Sequence, residues 1–480
     1  MSAREAGAAG AADVTDEGFH TGRVVLIAAV AALGGFLFGF DTAVINGTVD
    51  AVGAQFGMNS GTTGFVVSSA LLGCMVGAYG GGRLADRWGR VRVMVLAAAL
   101  FVVSSVGSGF SVGPWDLVLW RLVGGLGIGV ASVIAPAYIA EVAPPRIRGA
   151  LGSLQQLAIV VGIFVALLSD AWLARTAGGA GEVLWAGAPA WRWMFWAGVV
   201  PSLAYGLLSL TIPESPRYLV ARGLLDEARR VLQSIQERGV EGRITEIRRT
   251  VDTEHRGSLR DIVAPGRRTL LPVVWVGIAL SVFQQFVGIN VIFYYSTTLW
   301  RAVGFTEDDA LTQSVITSVT NIVVTLVAIA LIDRIGRRRL LAIGSAGMTV
   351  SLAVMAVVFS DVPMVPGADG TEVPQLGDTA GTVALVAANA FVVFFGMSWG
   401  PAVWVLLGEM FSNRIRSTAL GLAAAVQWLA NFAVSTSFPV MADVGLWFAY
   451  GFYTVASLAS LVFVLRWVPE TNGRSLEEMG

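Results

Sequence analysis

The chain has no lysine, one cysteine and two histidines among 480 residues. Every basic residue is therefore an arginine. A lone thiol, Cys74, forms neither an internal disulfide nor a multi-cysteine metal site, and inside its apolar run it reads as a small packing residue. His20 falls in a polar N-terminal stretch and His255 in a charged central segment, which excludes a histidine relay within an apolar span. Charge is scarce too: 14% of residues are charged, against about 25% in soluble domains. A net charge of −1 gives no bulk attraction to nucleic acid. No nucleophile–base pair, metal-ligand cluster or phosphate-cradling loop stands out, so neither an enzyme nor a cofactor or metal is expected. Residues 1–21 are rich in Ala and Gly and have no apolar core, which argues for a disordered tail and against a cleaved signal peptide.

What the chain has in quantity is apolar length, with 55% hydrophobic residues and a mean hydropathy of +0.70. Windows of about 20 residues mark spans near 22–46, 62–82, 91–111, 117–140, 149–171 and 191–212, then 269–297, 313–332, 340–360, 381–408, 416–438 and 444–467. The expected fold is an all-α membrane protein of twelve helices in two six-helix halves. A tail (1–21), an N-terminal bundle (22–216), a linker (217–268), a C-terminal bundle (269–468) and a second tail (469–480) make up the chain. The linker carries helical apolar spacing with charged outer faces around Leu224–Leu232, as expected for short amphipathic helices on a membrane surface. Arginines gather in alternate loops: Arg83, Arg87, Arg90 and Arg92; Arg146 and Arg148; the linker; Arg334 and Arg337 to Arg339; Arg414 and Arg416. Arginine excess marks the cytoplasmic side, which places both termini and the linker inside a cell (inner) membrane, with lipid as the surrounding partner.

The halves repeat each other. Asp86-Arg87-Trp88-Gly89-Arg90 after span 2 recurs as Asp333-Arg334-Ile335-Gly336-Arg337 after span 8, and Glu141 with Arg148 after span 4 recurs as Glu409 with Arg416 after span 10. Repeated halves point to a pseudo-two-fold axis along the membrane normal and to rocking between them. Carboxylates and guanidiniums at these rims are expected to pair across the halves by charge-assisted hydrogen bonds in one state and to part in the other. The simple topology rule would account for the arginines, but not for their Asp and Glu partners or the fixed Gly.

The chain resembles the sugar porter family of the major facilitator superfamily over nearly all of its length after residue 22. The resemblance rests on Gly82-x-x-x-Asp86-Arg87-x-Gly89-Arg90, Pro213-Glu214-Ser215-Pro216-Arg217, Gln284-Gln285-Phe286-Val287-Gly288-Ile289-Asn290 and Pro469-Glu470-Thr471-Asn472-Gly473. The second and third are the specific ones, and they add Glu214 and Arg217 to the rim set. Asn472 stands where the family usually has Lys, and Ile329 where the first half has Gly82.

Two ionisable residues fall well inside the apolar spans, Asp41 in span 1 and Arg121 in span 4. A charge at the bilayer centre costs roughly 3 kcal/mol or more. Asp41 lies 18 residues beyond Arg23, roughly 27 Å along a helix; Arg121 lies roughly 7 Å below the opposite surface, five residues after Asp116. Both therefore sit at similar depth and can meet. As a switch, the pair would hold Asp41 ionised, and withdrawal of the arginine would favour a proton on it; as a static pair it would only fix helix packing. The resemblance implies the switch, since proton-coupled members carry an acid at this position and facilitative members a neutral amide.

A sugar needs amides, which donate and accept, and aromatic rings for its C–H face. Spans 5, 7, 8, 10 and 11 supply Gln156, Gln284, Gln285, Asn290, Asn321, Trp404, Gln427 and Trp428. Each amide alone serves equally well to glue helices together; as a set they match the family's sugar-binding positions. Phe38, one turn before Asp41, and Tyr294 are expected as walls. Gly288 loosens span 7, and Gly400-Pro401 is expected to interrupt span 10. The glycine run Gly124-Gly125-x-Gly127-x-Gly129 reads as close helix packing. Proton–monosaccharide symport by a monomer leads; uncoupled uniport, polyol symport and a transporter-like sugar sensor are the alternatives. The amides suit glucose, xylose, galactose or arabinose without choosing among them.

Overall fold

A computed structural model describes residues 19–144, 147–253, 259–264, 269–366, 372–411 and 415–470. The tail up to residue 18 and the segment after Glu470 lie outside them, as do the side chains of Arg148, Asp333 and Arg416. Helices follow the apolar runs. The first half comprises α1 (Thr21–Phe56), α2 (Ser60–Trp88), α3 (Arg90–Phe110), α4 (Pro114–Val142), α5 (Arg148–Ala177) and the pair α6 (Ala190–Ala197) and α7 (Val199–Ser209). The linker forms α8 (Pro216–Ala221), α9 (Leu225–Ile235) and α10 (Val240–Thr253). The second half comprises α11 (Pro272–Phe286) with α12 (Ile289–Ala302), then α13 (Glu307–Ile335) and α14 (Arg337–Val358). It continues with α15 (Asp378–Met397) and α16 (Trp399–Met410), α17 (Arg416–Val444) and α18 (Leu446–Trp467).

Among the described residues, 11 helices or helix pairs are long and apolar enough to cross a membrane. The twelfth span, α6–α7, is not among them; it opens on Trp191-Arg192-Trp193 and breaks at Gly198. Span 7 breaks at Gly288, whose φ of +86° suits glycine and disfavours a side chain. Span 10 breaks at Ser398, not at Gly400-Pro401 as expected. Pro401 is the third residue of α16, where a missing N–H removes no intrahelical bond. The Trp399 indole fixes the break to α14 by donating to the Leu341 carbonyl and to Ser345 Oγ at 2.9 Å.

Glycines set the closest helix contacts. Gly73 and Gly77 of α2 lie against the Leu122 and Leu126 carbonyls, and Gly125 and Gly129 of α4 against those of Ala70 and Cys74; a Cβ at any of them would overlap backbone. That apposition seals Cys74 completely. Across the halves, Gly64 of α2 lies against the Thr436 carbonyl of α17. The perimeter is apolar: Phe110, Leu207, Val350, Val455 and Val462 are all more than half exposed, a surface suited to lipid. The linker docks on the first half, burying Ala228, Leu232, Ile235, Ile244 and Ile247 against it. The chain at Phe19–His20 joins it there, His20 N–H donating to the Ile235 carbonyl at 3.0 Å. The start of α1 and the linker therefore share one face, the linker face; the other is the far face.

Candidate functional site

Asp41 and Arg121 meet. Arg121 Nη1 donates to Asp41 Oδ2 at 3.1 Å and to the Asp41 carbonyl at 2.9 Å. Both side chains are buried. Gly124 of α4 lies beside the pair; a Cβ there would overlap Ser104 Oγ and would meet Asp41 Oδ1 at an ordinary 3.5 Å. Arg121 Nε has no hydrogen-bond partner, so the guanidinium is held by one edge. Beside the pair lies a cavity of about 10 Å³, lined by Asp41, Phe40, Phe101, Ser105, Phe195 and Ser202, enough for about one water. A carboxylate with a single charged partner and a water-sized space beside it can exchange a proton once that partner withdraws.

The pair adjoins the seam between the halves. Phe38, one turn before Asp41 on α1, packs on Trp428 of α17 with ring centroids 5.5 Å apart. The span 7 amides form a chain: Asn290 Nδ2 donates to Gln285 Oε1 at 2.6 Å, Gln285 Nε2 to Gln284 Oε1 at 3.4 Å, and Gln284 Nε2 to the Trp399 carbonyl at 2.9 Å. Gln284 thus clamps the break in span 10 as well as facing its neighbours. Asn431 of α17 donates to the Tyr294 hydroxyl at 3.5 Å and accepts from Ser435 at 3.0 Å. Gln156 and Gln427 are half-buried, and Gln427 Oε1 has no partner. Asn321 is buried on α13 beside Gly396 of α15, and Trp404 is exposed on α16. The structure therefore pairs Asp41 with Arg121 and, one turn away on α1, Phe38 with Trp428, and it chains Gln284, Gln285 and Asn290 together. Tyr294 and Asn431 pair separately, and no described bond links Gln156, Asn321, Trp404 or Gln427 to these groups.

At the linker face the two halves build the same device. Arg90 donates from Nε and Nη2 to Glu141 at 3.1 and 2.9 Å, with Asp86 3.3 Å away, while Glu214 accepts from the backbone N–H groups of Arg90 and Val91. In the second half Arg337 donates to Glu409 at 2.9 Å, and Glu470 accepts from the N–H groups of Arg337 and Arg338. Each carboxylate sits at a helix N-terminus, where free N–H groups and the helix dipole favour an anion. Gly89 (φ +96°) and Gly336 (φ +90°) are required because a Cβ there would strike Glu214 or Glu470. Arg87 is exposed and contributes its carbonyl, which accepts from Arg222 at 2.8 Å. Arg217 lines a cavity of about 300 Å³ with Glu141, Arg243 and Glu246. In this state, with the far face joined, Arg90–Glu141 and Arg337–Glu409 each close within one half. The packing of α2 and α3 on α4 brings Glu141 to Arg90 inside its own bundle.

The described bonds across the halves lie toward the far face. Asn46 Nδ2 donates to Ser296 Oγ at 2.9 Å and to Ser314 Oγ at 3.4 Å, and its Oδ1 accepts from the Thr297 N–H at 2.9 Å. One turn on, Asp50 accepts from Thr298 at 2.7 Å and from Arg301 at 3.0 Å. Arg175 pairs with Asp308 and donates to Thr312 at 2.6 Å, and Glu307 accepts from the Ala180 N–H at 2.9 Å. Together these bonds latch the far face.

Residues 27–480 match the family described as sugar (and other) transporter. The chain belongs to that family. A glucose transport protein of Synechocystis sp. is 55% identical to this family member over 95% of this chain and 97% of its own. The D-xylose-proton symporter of Escherichia coli K12 is 36% identical over 96% of both. The solved inward open conformation of the xylose transporter XylE from E. coli superposes with a TM-score of 0.79 at 34% identity, covering 95% of this chain and 99% of that one. In this sugar transporter family member, sequence reasoning missed Asn46, Asp50, Asp170, Arg175, Arg301, Asp308 and the capping role of Glu470. A usable signal was present for two of them. Asp170 lies inside the span drawn at 149–171, and Glu470 stands in the second half where Glu214 stands in the first.

Proposed function

We infer that the chain is a proton-coupled monosaccharide symporter that works by alternating access. The Asp41–Arg121 pair supports this most directly, because it is buried, held by one edge of the guanidinium, and one helical turn from the Phe38–Trp428 contact between the halves. Sugar placed among Gln156, Gln284, Gln285, Asn290, Asn321, Trp404, Gln427 and Trp428 would alter that contact and, through Phe38, the setting of Asp41. With the sugar bound and the halves rocking, Arg121 withdraws, Asp41 takes a proton, and both solutes cross together. At the linker face, Arg90 with Asp86, Glu141 and Glu214, and Arg337 with Glu409 and Glu470, hold each half together as it moves. By the arginine rule that face is cytoplasmic in a cell membrane, and the transporter acts as a monomer. Glucose heads the candidate substrates, followed by xylose, because relatives bearing those names share 55% and 36% of residues.

The test is uptake of labelled glucose, xylose, galactose, arabinose and inositol into proteoliposomes with and without an imposed pH gradient. Accumulation above equilibrium for one monosaccharide, driven by the gradient, is the expected result. Flux that never exceeds equilibrium and ignores the gradient would replace symport with uniport.

A further inference from the structure

One buried acid has no place in this scheme. Asp170 of α5 is fully buried, and neither carboxyl oxygen has a hydrogen-bond partner. The backbone of Gly47 on α1 faces the carboxyl without meeting hydrogen-bond geometry. A Cβ at Gly47 would come within 2.6 Å of Asp170 Cβ and 2.7 Å of Oδ2, so glycine alone fits against the acid. The charged groups at the far-face ends of the elements packed against α5 are engaged elsewhere. On α1, Asp41 binds Arg121 of α4 and Asp50 binds Arg301; on α4, Asp116 accepts from the Val112 N–H. On α13, Glu307 accepts from Ala180, Asp308 pairs with Arg175 of α5 itself, and Asp309 accepts from Thr306. Arg192 of α6 donates to the Gly109 carbonyl. An ionised carboxylate so placed is strongly disfavoured against the neutral acid.

The position is specific. Gly47 follows Asn46, whose amide makes three bonds to the other half, and Arg175, five residues beyond Asp170, ties α5 to Asp308 and Thr312. Both walls of the acid's pocket therefore carry the far-side latch, and parting of the halves frees both. The geometry points to Asp170 as a proton-binding site of the latch, holding a proton while the far face is joined and releasing it to far-side water when the halves part. On opening, one O–H bond breaks, the proton passes to water, and water supplies the donors that the carboxylate then needs. Acid on the far side thus favours closure. This rests on the alternating-access part of the proposed function and is independent of coupling at Asp41.

The test uses spin labels on cysteines substituted at Val112 and Val444, exposed far-side positions on opposite halves, in an Asp41→Asn background that removes the other buried acid among the described residues. The open-to-closed ratio is expected to rise with pH by up to about tenfold per unit, the limit for one linked proton. In Asp41→Asn/Asp170→Asn the ratio is expected to stay low and flat. Asp170→Glu, which keeps an acid and covers the case of poor insertion of the first variant, is expected to retain the slope with a displaced midpoint. An undiminished slope in the double variant, or an unmoved midpoint with glutamate, overturns the assignment. Loss of gradient-driven uptake in Asp41→Asn alongside an unchanged slope in the double variant would sink this inference and leave symport standing.

Discussion

Asp41 carries the residue-scale prediction. Asp41→Asn keeps the shape and one acceptor but cannot exchange a proton, so gradient-driven accumulation is expected to vanish while equilibrium sugar exchange and binding persist. Undiminished accumulation, measured as internal over external label, would remove coupling through this acid. Arg121 has a different signature. Arg121→Ala leaves a buried carboxylate uncompensated, and removal of one partner of a buried pair costs about 3–5 kcal/mol. A marked loss of thermal stability in detergent micelles is therefore expected, where Asp41→Asn, keeping a polar partner for Arg121, is milder. The pair was legible in the sequence because depth along a helix follows from residue count, and two opposite charges at one depth in lipid demand each other. Asp170 was not picked out, because an acid near the end of a drawn span reads as a boundary residue, and nothing in the chain shows that α5 places it against Gly47.

Helices and loops pose a question of symmetry. The Gly–Arg repeat after spans 2 and 8 was visible, and its fixed glycine was the clue that something approaches the backbone there. Glu214 was placed at the rim by its motif, but the backbone N–H groups that Glu214 and Glu470 cap were not visible, since the two acids lie 124 and 133 residues away. Each acts as an anion at a helix N-terminus, worth about 0.3–2 kcal/mol. Glu214→Gln and Glu470→Gln are thus expected to lower thermal stability by similar small amounts. Gly89→Ala and Gly336→Ala combine a left-handed backbone with a clash, and strain of this kind costs of order 1–3 kcal/mol. A neutral effect at one site and a large one at the other would show that the two halves use the repeat differently. Span ends were less legible than span cores. Span 1 was expected to end at Asn46, yet α1 runs to Phe56, because Asn46 and Asp50 find polar partners on the other half instead of water. The break in span 10 was legible to within two residues from Gly400-Pro401, while the one at Gly198, three residues before Pro201, was not picked out.

For the whole molecule, the balance lies between the two faces. Here the far face is joined and the rim pairs described at the linker face stay within their halves. The latch should be tunable. Asn46→Ala removes three bonds, each worth about 1 kcal/mol net, so the far-open population is expected to rise by roughly a hundredfold at most. Arg301→Ala removes a half-exposed ion pair worth about 0–1 kcal/mol and should shift it by no more than about fivefold. Distances between labels on opposite halves report both. An Asn46→Ala protein that remained as tightly joined as its parent would show that closure is governed elsewhere.

The glycine apposition of α2 and α4 also has a practical consequence. Because it walls in the sole native thiol, maleimide reagents should find no target in the folded transporter. A cysteine placed at any chosen loop would then be modified against a silent background, without first engineering a thiol-free parent. Slow labelling of Cys74 itself would in turn report moments when those two helices separate.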